Sequence, residues 1–359
     1  MDELDKIRQN INEIDEKMAS LFEQRMHAAE QVAAYKTKHS LPILDKTREK
    51  ALIERNTAFI QNETYIPYYE EFLTGLMALS RAYQRACIAG DTVAFQGAEG
   101  AFSHIALRGI FPGAKELAAN TFGEVFSLLE AGEAAYGVIP FENSFAGEVG
   151  EVFDLLFSHN LYICDMYDLP VWQNLLGVVD GTIEDIREVY THPQAIEQCR
   201  AFLNEHKFKT VVYPNTAMAA KYVRECNDPS KAAIASAQTA DIYGLKVIRD
   251  NINTNPENTT RFIVLCKEEP REGSHFCLLF TLGHDAGALA RVVQLIAEFG
   301  FSMESIKSRP VKNVPWKYYF YVEIEGDAKG EKAEEMFLAL SKECTELRFL
   351  GSFNREEGK

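Results

Sequence analysis

Cysteine is sparse and unpatterned in this chain. The seven cysteines, at positions 87, 164, 199, 226, 266, 277 and 344, are odd in number and never spaced as C-x-x-C. That argues against a disulfide framework or a thiolate metal site and fits a reducing cytoplasm. Basic residues are also in deficit, with 37 Lys plus Arg against 53 Asp plus Glu and a formal net charge of -16. Nucleic acid and anionic membrane are poor partners for such a chain, because both require a basic surface. No apolar run approaches the ~18 residues of a membrane span. The start, Met1-Asp2-Glu3-Leu4-Asp5, lacks the basic opening and apolar core of a secretion signal. There is no internal repeat and no low-complexity tract. What is present is an ordinary globular composition, 47% apolar and 25% charged over 359 residues. At ~150 residues per domain, that length predicts two or three domains of a cytosolic enzyme.

Three periods divide the chain. Residues 1–89 read as helix throughout: Leu4, Ile7, Ile11, Ile14, Met18, Leu21 and Phe22 recur at three- and four-residue steps. The stripe continues through Ala29, Val32 and Ala33 with no Gly or Pro before Pro42. A helix of about 35 residues is roughly 50 Å long, too long to bury itself in a lone small domain, so it needs the following helices or a second chain. Pro42 breaks it, Asp45 is placed as the N-cap of a second helix running to about Asn62, and Pro67 opens a third through about Ala89. From residue 91 to 268, short strands over 92–95, 134–140, 161–166, 176–179, 189–191, 211–213, 232–235 and 262–266 alternate with helices over 121–131, 193–205 and 216–226. That alternation predicts an α/β domain of two lobes. After a polar linker at 267–273, residues 274–353 follow the order β-α-β-β-α-β, a ferredoxin-like α+β unit.

Charges interrupt the N-terminal stripe at particular places. Arg25 and Lys36 are 11 residues apart, about three turns, and share a helix face within ~20°. Arg8, 17 residues before Arg25, lies ~25 Å along the axis and ~100° around it, so it can only serve a site completed by another protomer. Asp45, Arg48 and Glu49 share a face at i, i+3, i+4, and Ser80 and Gln84 are four apart. Singly, each is an ordinary helix charge or pair. As a set, the eight residues resemble the all-helical chorismate mutases in order and spacing. The resemblance implies an intertwined helical dimer that rearranges chorismate to prephenate with no cofactor, metal or nucleophile. In that reading Arg8, Arg25 and Arg48 hold the two substrate carboxylates in the reactive conformer. Lys36 and Gln84 donate to the breaking ether oxygen, and Asp45, Glu49 and Ser80 meet the hydroxyl and remaining polar edge.

In the middle segment, Gly97-Ala98-Glu99-Gly100-Ala101-Phe102-Ser103-His104 follows a strand and opens a helix, where backbone N–H groups can meet an anion. Glu142-Asn143-Ser144, Thr191-His192-Pro193-Gln194 with Gln198, and Thr259-Thr260-Arg261-Phe262 are unremarkable alone. Together and in this order the four motifs resemble prephenate dehydratase, whose fold is two α/β lobes reminiscent of periplasmic binding proteins with the site between them. The resemblance implies loss of water and carbon dioxide from prephenate to give phenylpyruvate. It places Thr260 at the leaving hydroxyl with Asn143 and Gln198 as polar partners, Ser103 and Thr191 as anchors, and Arg261 as a carboxylate partner or a structural charge. A threonine hydroxyl is a weak acid, so Thr260 reads as a hydrogen-bond donor relaying from Glu142 or water.

In the last segment, Gly287-Ala288-Leu289-Ala290 and Ser308-Arg309-Pro310 resemble the effector motifs of an amino-acid-sensing ACT domain. In dehydratases these bind phenylalanine at a dimer interface. Helix N-terminal amides around Gly287 and Ala288 would take the effector carboxylate. Ala290 and Lys307 depart from the family pattern, which has Val and Glu there, and both bear on effector affinity.

Across residues 1–353 the three blocks make the chain resemble the bifunctional chorismate mutase–prephenate dehydratases, feedback-inhibited by phenylalanine. Its expected partners are chorismate, prephenate, phenylalanine and a second copy of itself. Two alternatives stand beside this reading: a middle domain acting on arogenate, and a non-enzymatic ligand sensor.

Overall fold

The computed structural model describes residues 3–38, 45–88, 92–312 and 314–354. Pro42 and Ala89, expected at a helix break and a helix end, lie outside the described residues. The chain folds as two compact units, one built on the N-terminal helices and grouped with Ile110–Ala114, the other formed by Thr92–Gly109 and the chain from Lys115 onward. None of the described helices is long and apolar enough to cross a membrane.

The first unit is all-α. Helix α1 (Glu3–Lys38) runs for 36 residues, followed by α2 (Lys46–Thr57) and α3 (Ile66–Ile88). Asp45 caps α2, its Oδ1 accepting from the Arg48 backbone N–H at 2.9 Å. The second helix ends five residues earlier than its expected end at Asn62, which instead caps a short 3₁₀ turn at Glu63–Tyr65 through its side chain. Helix α1 packs along α3, where the buried apolar positions are Ala29 and Ala33 on α1 and Leu73 and Met77 on α3. Small residues there let the helices approach closely. The other stripe of α1 is bare: Leu4, Ile7, Ile11, Ile14, Met18, Leu21 and Phe22 are each between 43% and 62% exposed.

The second unit opens with β1 (Thr92–Gln96), α4 (Phe102–Ile110), β2 (Lys115–Ala119), α5 (Phe122–Ala131), β3 (Tyr136–Asn143), β4 (Gly147–Glu148), α6 (Gly150–Ser158) and β5 (Tyr162–Pro170). The chain then crosses to a second lobe: β6 (Asn174–Gly177), β7 (Glu188–Thr191), α7 (Pro193–Gln198), α8 (Arg200–His206), β8 (Lys209–Val212), α9 (Thr216–Cys226), β9 (Lys231–Ala235), α10 (Ala237–Tyr243) and β10 (Lys246–Arg249). It returns as β11 (Thr259–Cys266), which inserts between β3 and β5. The first sheet is ordered β2-β1-β3-β11-β5 with β4 beside β3, and the second β10-β6-β9-β7-β8. Two chain crossings therefore join two α/β lobes. Sequence periodicity passed over three strands. Lys115–Ala119 reads as a helix former yet pairs on the sheet edge, Gly147–Glu148 has only two residues, and Lys246–Arg249 is a short edge. The expected helix over 193–205 divides at Cys199, whose ψ of 17° leaves the helical range.

Strands β12 (His275–Thr281), β13 (Ser302–Pro310), β14 (Tyr318–Glu325) and β15 (Glu346–Phe353), with α11 (Ala288–Glu298) and α12 (Glu331–Glu343), complete the chain in the order β-α-β-β-α-β. The antiparallel sheet runs β13-β14-β12-β15. Every residue of β12 is buried, because the sheet is covered on both faces. Phe276, Leu278 and Phe280 join a core with Val292 and Ile296 of α11. Cys277 and Leu279 join Tyr319, Tyr321, Phe141 and Phe153 in the core of the first lobe. The polar stretch 267–273 is thus an ordered connection: Ser352 N–H donates to Pro270 O at 2.8 Å, and the Arg271 guanidinium lies 5.5 Å from the Phe349 ring centroid. All seven cysteines are free thiols.

Candidate functional sites

In the helical unit, α1, α2 and α3 bring one charged cluster together. Arg25 donates to Ser80 Oγ and, at 3.4 Å, to Leu76 O. Burial lowers the Arg25 pKa, and the Glu49 charge partly restores it. Lys36 is half-buried, and its pKa is also lowered: burial leads, Asp45 and Glu49 oppose it, and Arg48 and Arg81 add to it. Those causes place Lys36 within electrostatic reach of Asp45, Arg48, Glu49 and Arg81. Gln84 is buried, and its Oε1 has no hydrogen-bond partner. Arg8 stands exposed near the far end of α1, away from Arg25.

Sequence reading passed over Arg81. It is buried, and its Nη1 lies 2.7 and 2.6 Å from the two carboxylate oxygens of Glu49. The available signal was a charge next to Ser80 and three residues before Gln84, on the same helix face. Four cations (Arg25, Lys36, Arg48, Arg81) and two carboxylates (Asp45, Glu49) leave the cluster two positive charges in excess.

In the second unit, Asn143 and Thr260 face each other across β3 and β11. Asn143 Oδ1 accepts from the backbone N–H of Phe145 at 3.0 Å and Ala146 at 2.9 Å. Its Nδ2 is thereby fixed as the donor, and it lies 2.9 Å from Thr260 Oγ1, 2.9 Å from Asn258 Oδ1 and 3.1 Å from Thr259 O. Thr260 accepts from Asn143, which leaves its hydroxyl proton to donate elsewhere.

Other expected residues are committed to partners. Thr191 Oγ1 donates to Ile234 O at 2.8 Å within the second lobe. Gln198 Oε1 accepts from Gln173 Nε2 at 3.0 Å, and Gln173 Oε1 has no partner. His192 caps α7, accepting from the Gln194 N–H, and burial lowers its pKa. Ser103 is buried in the first turn of α4. Arg261 meets Asp168 at 2.9 and 3.2 Å and buried Glu323 at 3.9 Å. Burial disfavours its charge, but these carboxylates and Glu142 outweigh that and raise its pKa. Lys307 Nζ engages Glu142 at 2.6 Å, so a proton relay through Glu142 must first break that pair. The lobes meet at their crossings, where Val171 N–H donates to Asn258 O at 2.8 Å and Asn253 Nδ2 to Val171 O at 2.8 Å.

In the C-terminal unit, Thr281 and Arg309 both pair with Tyr319 on β14, so the ends of β12 and β13 lie at one end of the sheet. Gly287 caps α11 with φ +81°, a conformation that favours glycine. The Ala288 N–H, expected to be open, is bonded to Asp285 O at 3.1 Å. Ser308 and Pro310 are exposed, whereas Arg309 points to the opposite face. There it meets Glu148 at 2.7 Å and Asp154 at 3.1 and 3.3 Å. Burial disfavours the Asp154 carboxylate, but hydrogen bonds from Arg309, Tyr319 and Lys312 outweigh this and lower its pKa.

Two family models match the chain: chorismate mutase type II over residues 7–85 and prephenate dehydratase over residues 93–270. A bifunctional chorismate mutase/prephenate dehydratase of Neisseria gonorrhoeae is 30% identical over 355 residues, covering 96% of this chain and 95% of the relative. Among solved structures, a prephenate dehydratase from Arthrobacter aurescens in complex with L-Phe aligns with TM-score 0.68 and 28% identity. It covers 74% of this chain and 90% of that one. GqqA, described as a novel type of quorum quenching acylase, aligns with TM-score 0.68 and 30% identity over 74% of this chain and 98% of its own.

Proposed function

The chain belongs to the bifunctional chorismate mutase/prephenate dehydratase family, and on that premise we propose which side chains carry its two reactions. It rearranges chorismate to prephenate and converts prephenate to phenylpyruvate in phenylalanine biosynthesis, with regulation by phenylalanine.

The mutase step needs a folded dianion and stabilisation of charge on the breaking ether oxygen. Two positive charges in excess suit two substrate carboxylates, which Arg25 and Arg48 hold together. Lys36 donates to the ether oxygen. Gln84 does the same with its amide turned so that Nε2 replaces the unpartnered Oε1. Arg81 holds Glu49 for the substrate hydroxyl, with Asp45 and Ser80 at the polar edge. Arg8 serves the pocket of a second copy, which covers the exposed stripe from Leu4 to Phe22. The working form is therefore a homodimer in the cytoplasm.

In the dehydratase step Thr260 donates its free proton to the leaving hydroxyl. The observation that carries this reading is the fixed Asn143 amide, which makes Thr260 an acceptor from one side and a donor to the other. Asn143 and Gln198 line the site, and Ser103 anchors the substrate at the start of α4. The C-terminal β-α-β-β-α-β unit is an ACT domain. Phenylalanine binds at Gly287–Ala290 and Ser308–Pro310, where Leu289 and Ala290 offer amides beyond the spent one of Ala288. Feedback inhibition requires phenylalanine to bind the low-activity conformation better.

The test follows chorismate loss and phenylpyruvate appearance spectroscopically, with and without phenylalanine. Both signals moving, with phenylalanine suppressing the second, is the expected result. Accumulation of prephenate would remove the dehydratase assignment and make arogenate the next substrate to try.

A further inference from the structure

Asn258 ends the crossing from the second lobe, one residue before β11, and is 2% exposed. Its side chain is oriented without ambiguity. Asn143 Oδ1 is held by two backbone N–H groups, so Asn143 Nδ2 faces Asn258. A turned-over Asn258 would set donor against donor, so Oδ1 is the atom that accepts. The Asn258 Nδ2 group is left buried with no hydrogen-bond partner. Leaving such a group unpaired is costly, and beside the polar side chains of Asn143 and Thr260 that cost marks the place of a ligand oxygen.

We propose that Asn258 is a substrate-contacting residue of the dehydratase site, donating from Nδ2 to the ring carboxylate that leaves as carbon dioxide. This rests on the dehydratase reading above. Asn258 and Thr260 share one side, because Asn143 Nδ2 lies 2.9 Å from both Asn258 Oδ1 and Thr260 Oγ1, which keeps those two oxygens within about 5.8 Å of each other. That separation is comparable to the span from hydroxyl to carboxylate across a six-membered ring. With Thr260 at the hydroxyl, Asn258 falls at the carboxylate. The chemistry favours a neutral donor there. As carbon dioxide departs, the carboxylate gives up its negative charge to the ring. A full cation would stabilise the bound substrate more than the transition state. The nearest arginine in sequence, Arg261, is held by Asp168 and Glu323. Asn143, Gln198 and Asn258 are all at most 4% exposed, so the substrate reaches them only when the surrounding elements part.

Asn258→Asp and Asn258→Ala separate contact from positioning. Both are assayed in the full chain with prephenate, with melting temperature and chorismate turnover measured in parallel. Asn258→Asp keeps the acceptor facing Asn143 but replaces the donor with a charge that repels a carboxylate. It is expected to lose about 100-fold or more in kcat/KM, at least as much as Asn258→Ala. Its rate relative to wild type should recover as pH falls and the introduced carboxyl group takes up a proton. Near-wild-type activity of Asn258→Asp, with or without loss in Asn258→Ala, would overturn the proposal, as would a loss that shows no recovery in acid. Absence of prephenate turnover in the unaltered chain would instead overturn the dehydratase reading itself.

Discussion

The two sites solve opposite electrostatic problems. The helical pocket is ionic, with Arg25, Lys36, Arg48 and Arg81 set against Asp45 and Glu49. The dehydratase site proposed above uses neutral amides and hydroxyls: Asn143, Asn258 and Thr260 in one hydrogen-bonded group, and Gln198 with its partner Gln173. Its nearby charges are tied off in pairs, Arg261 with Asp168 and Glu142 with Lys307. A pericyclic step keeps both substrate carboxylates, so fixed cations bind and orient them at no cost to the chemistry. A dehydration with decarboxylation destroys one carboxylate, and cations holding it would oppose the reaction. One chain thus separates charge-rich from charge-poor chemistry by using helices for one and strand ends for the other.

Breaking the ionic side should have the largest effect. Lys36→Met is expected to lower mutase kcat by about 10³-fold, the loss typical of removing a donor to developing charge, while turnover of added prephenate stays unchanged. In the unaltered chain the mutase rate should be flat on the acid side, since Gln84 cannot ionise. It should fall at a pH below the ordinary lysine value of 10.5, because Lys36 is lowered. A rate that rises only as a carboxyl group protonates would remove Gln84 from its role. Thr260→Val comes next, with phenylpyruvate formation down about 100-fold in kcat and chorismate loss intact. A turnover number near wild type would remove Thr260 from the reaction. Arg81→Met sharpens the contrast, because it frees Glu49 within the ionic pocket. Mutase kcat/KM should fall about tenfold, or 1.4 kcal/mol, mainly through KM, and Arg81→Lys should recover part of it. The smallest effect concerns stability. Asp154 has a folded pKa below its ordinary 3.8, so its stabilising contribution is present above that value and is lost as pH falls through the folded pKa. The stability difference between the unaltered chain and Asp154→Asn, measured by melting, should shrink over that acid window.

Much of this architecture was legible in the residues. The helix expected over 216–226 forms as Thr216–Cys226, because its apolar period is unbroken and Asn215 caps it. The C-terminal order was readable for the same reason. The strand at Lys115–Ala119 escapes the sequence pattern because its residues favour helix while its backbone pairs with β1. Among site residues, Asn143 and Thr260 were named from motifs, and the register of β3 and β11 puts them opposite each other. Arg81 and Asn258 were missed because neither stands out in its local pattern. The pairing of Arg309 with Glu148 and Asp154, set by the alternation of β13, is likewise invisible in its local pattern.

By itself the sequence determined which chemistries were within reach: the stripe of α1, the cationic set along the helices, the alternation of strands and helices, and the motifs at strand ends. These are local properties, written in periods of two and 3.6 residues. Tertiary structure alone decided which polar groups are spent and which are left to act. Asn143 and Thr260 are 117 residues apart, and Lys307 and Glu142 are 165 apart. A hydrogen bond or ion pair is satisfied by whichever group folding brings within about 3 Å, and that neighbour is set by packing across the whole unit.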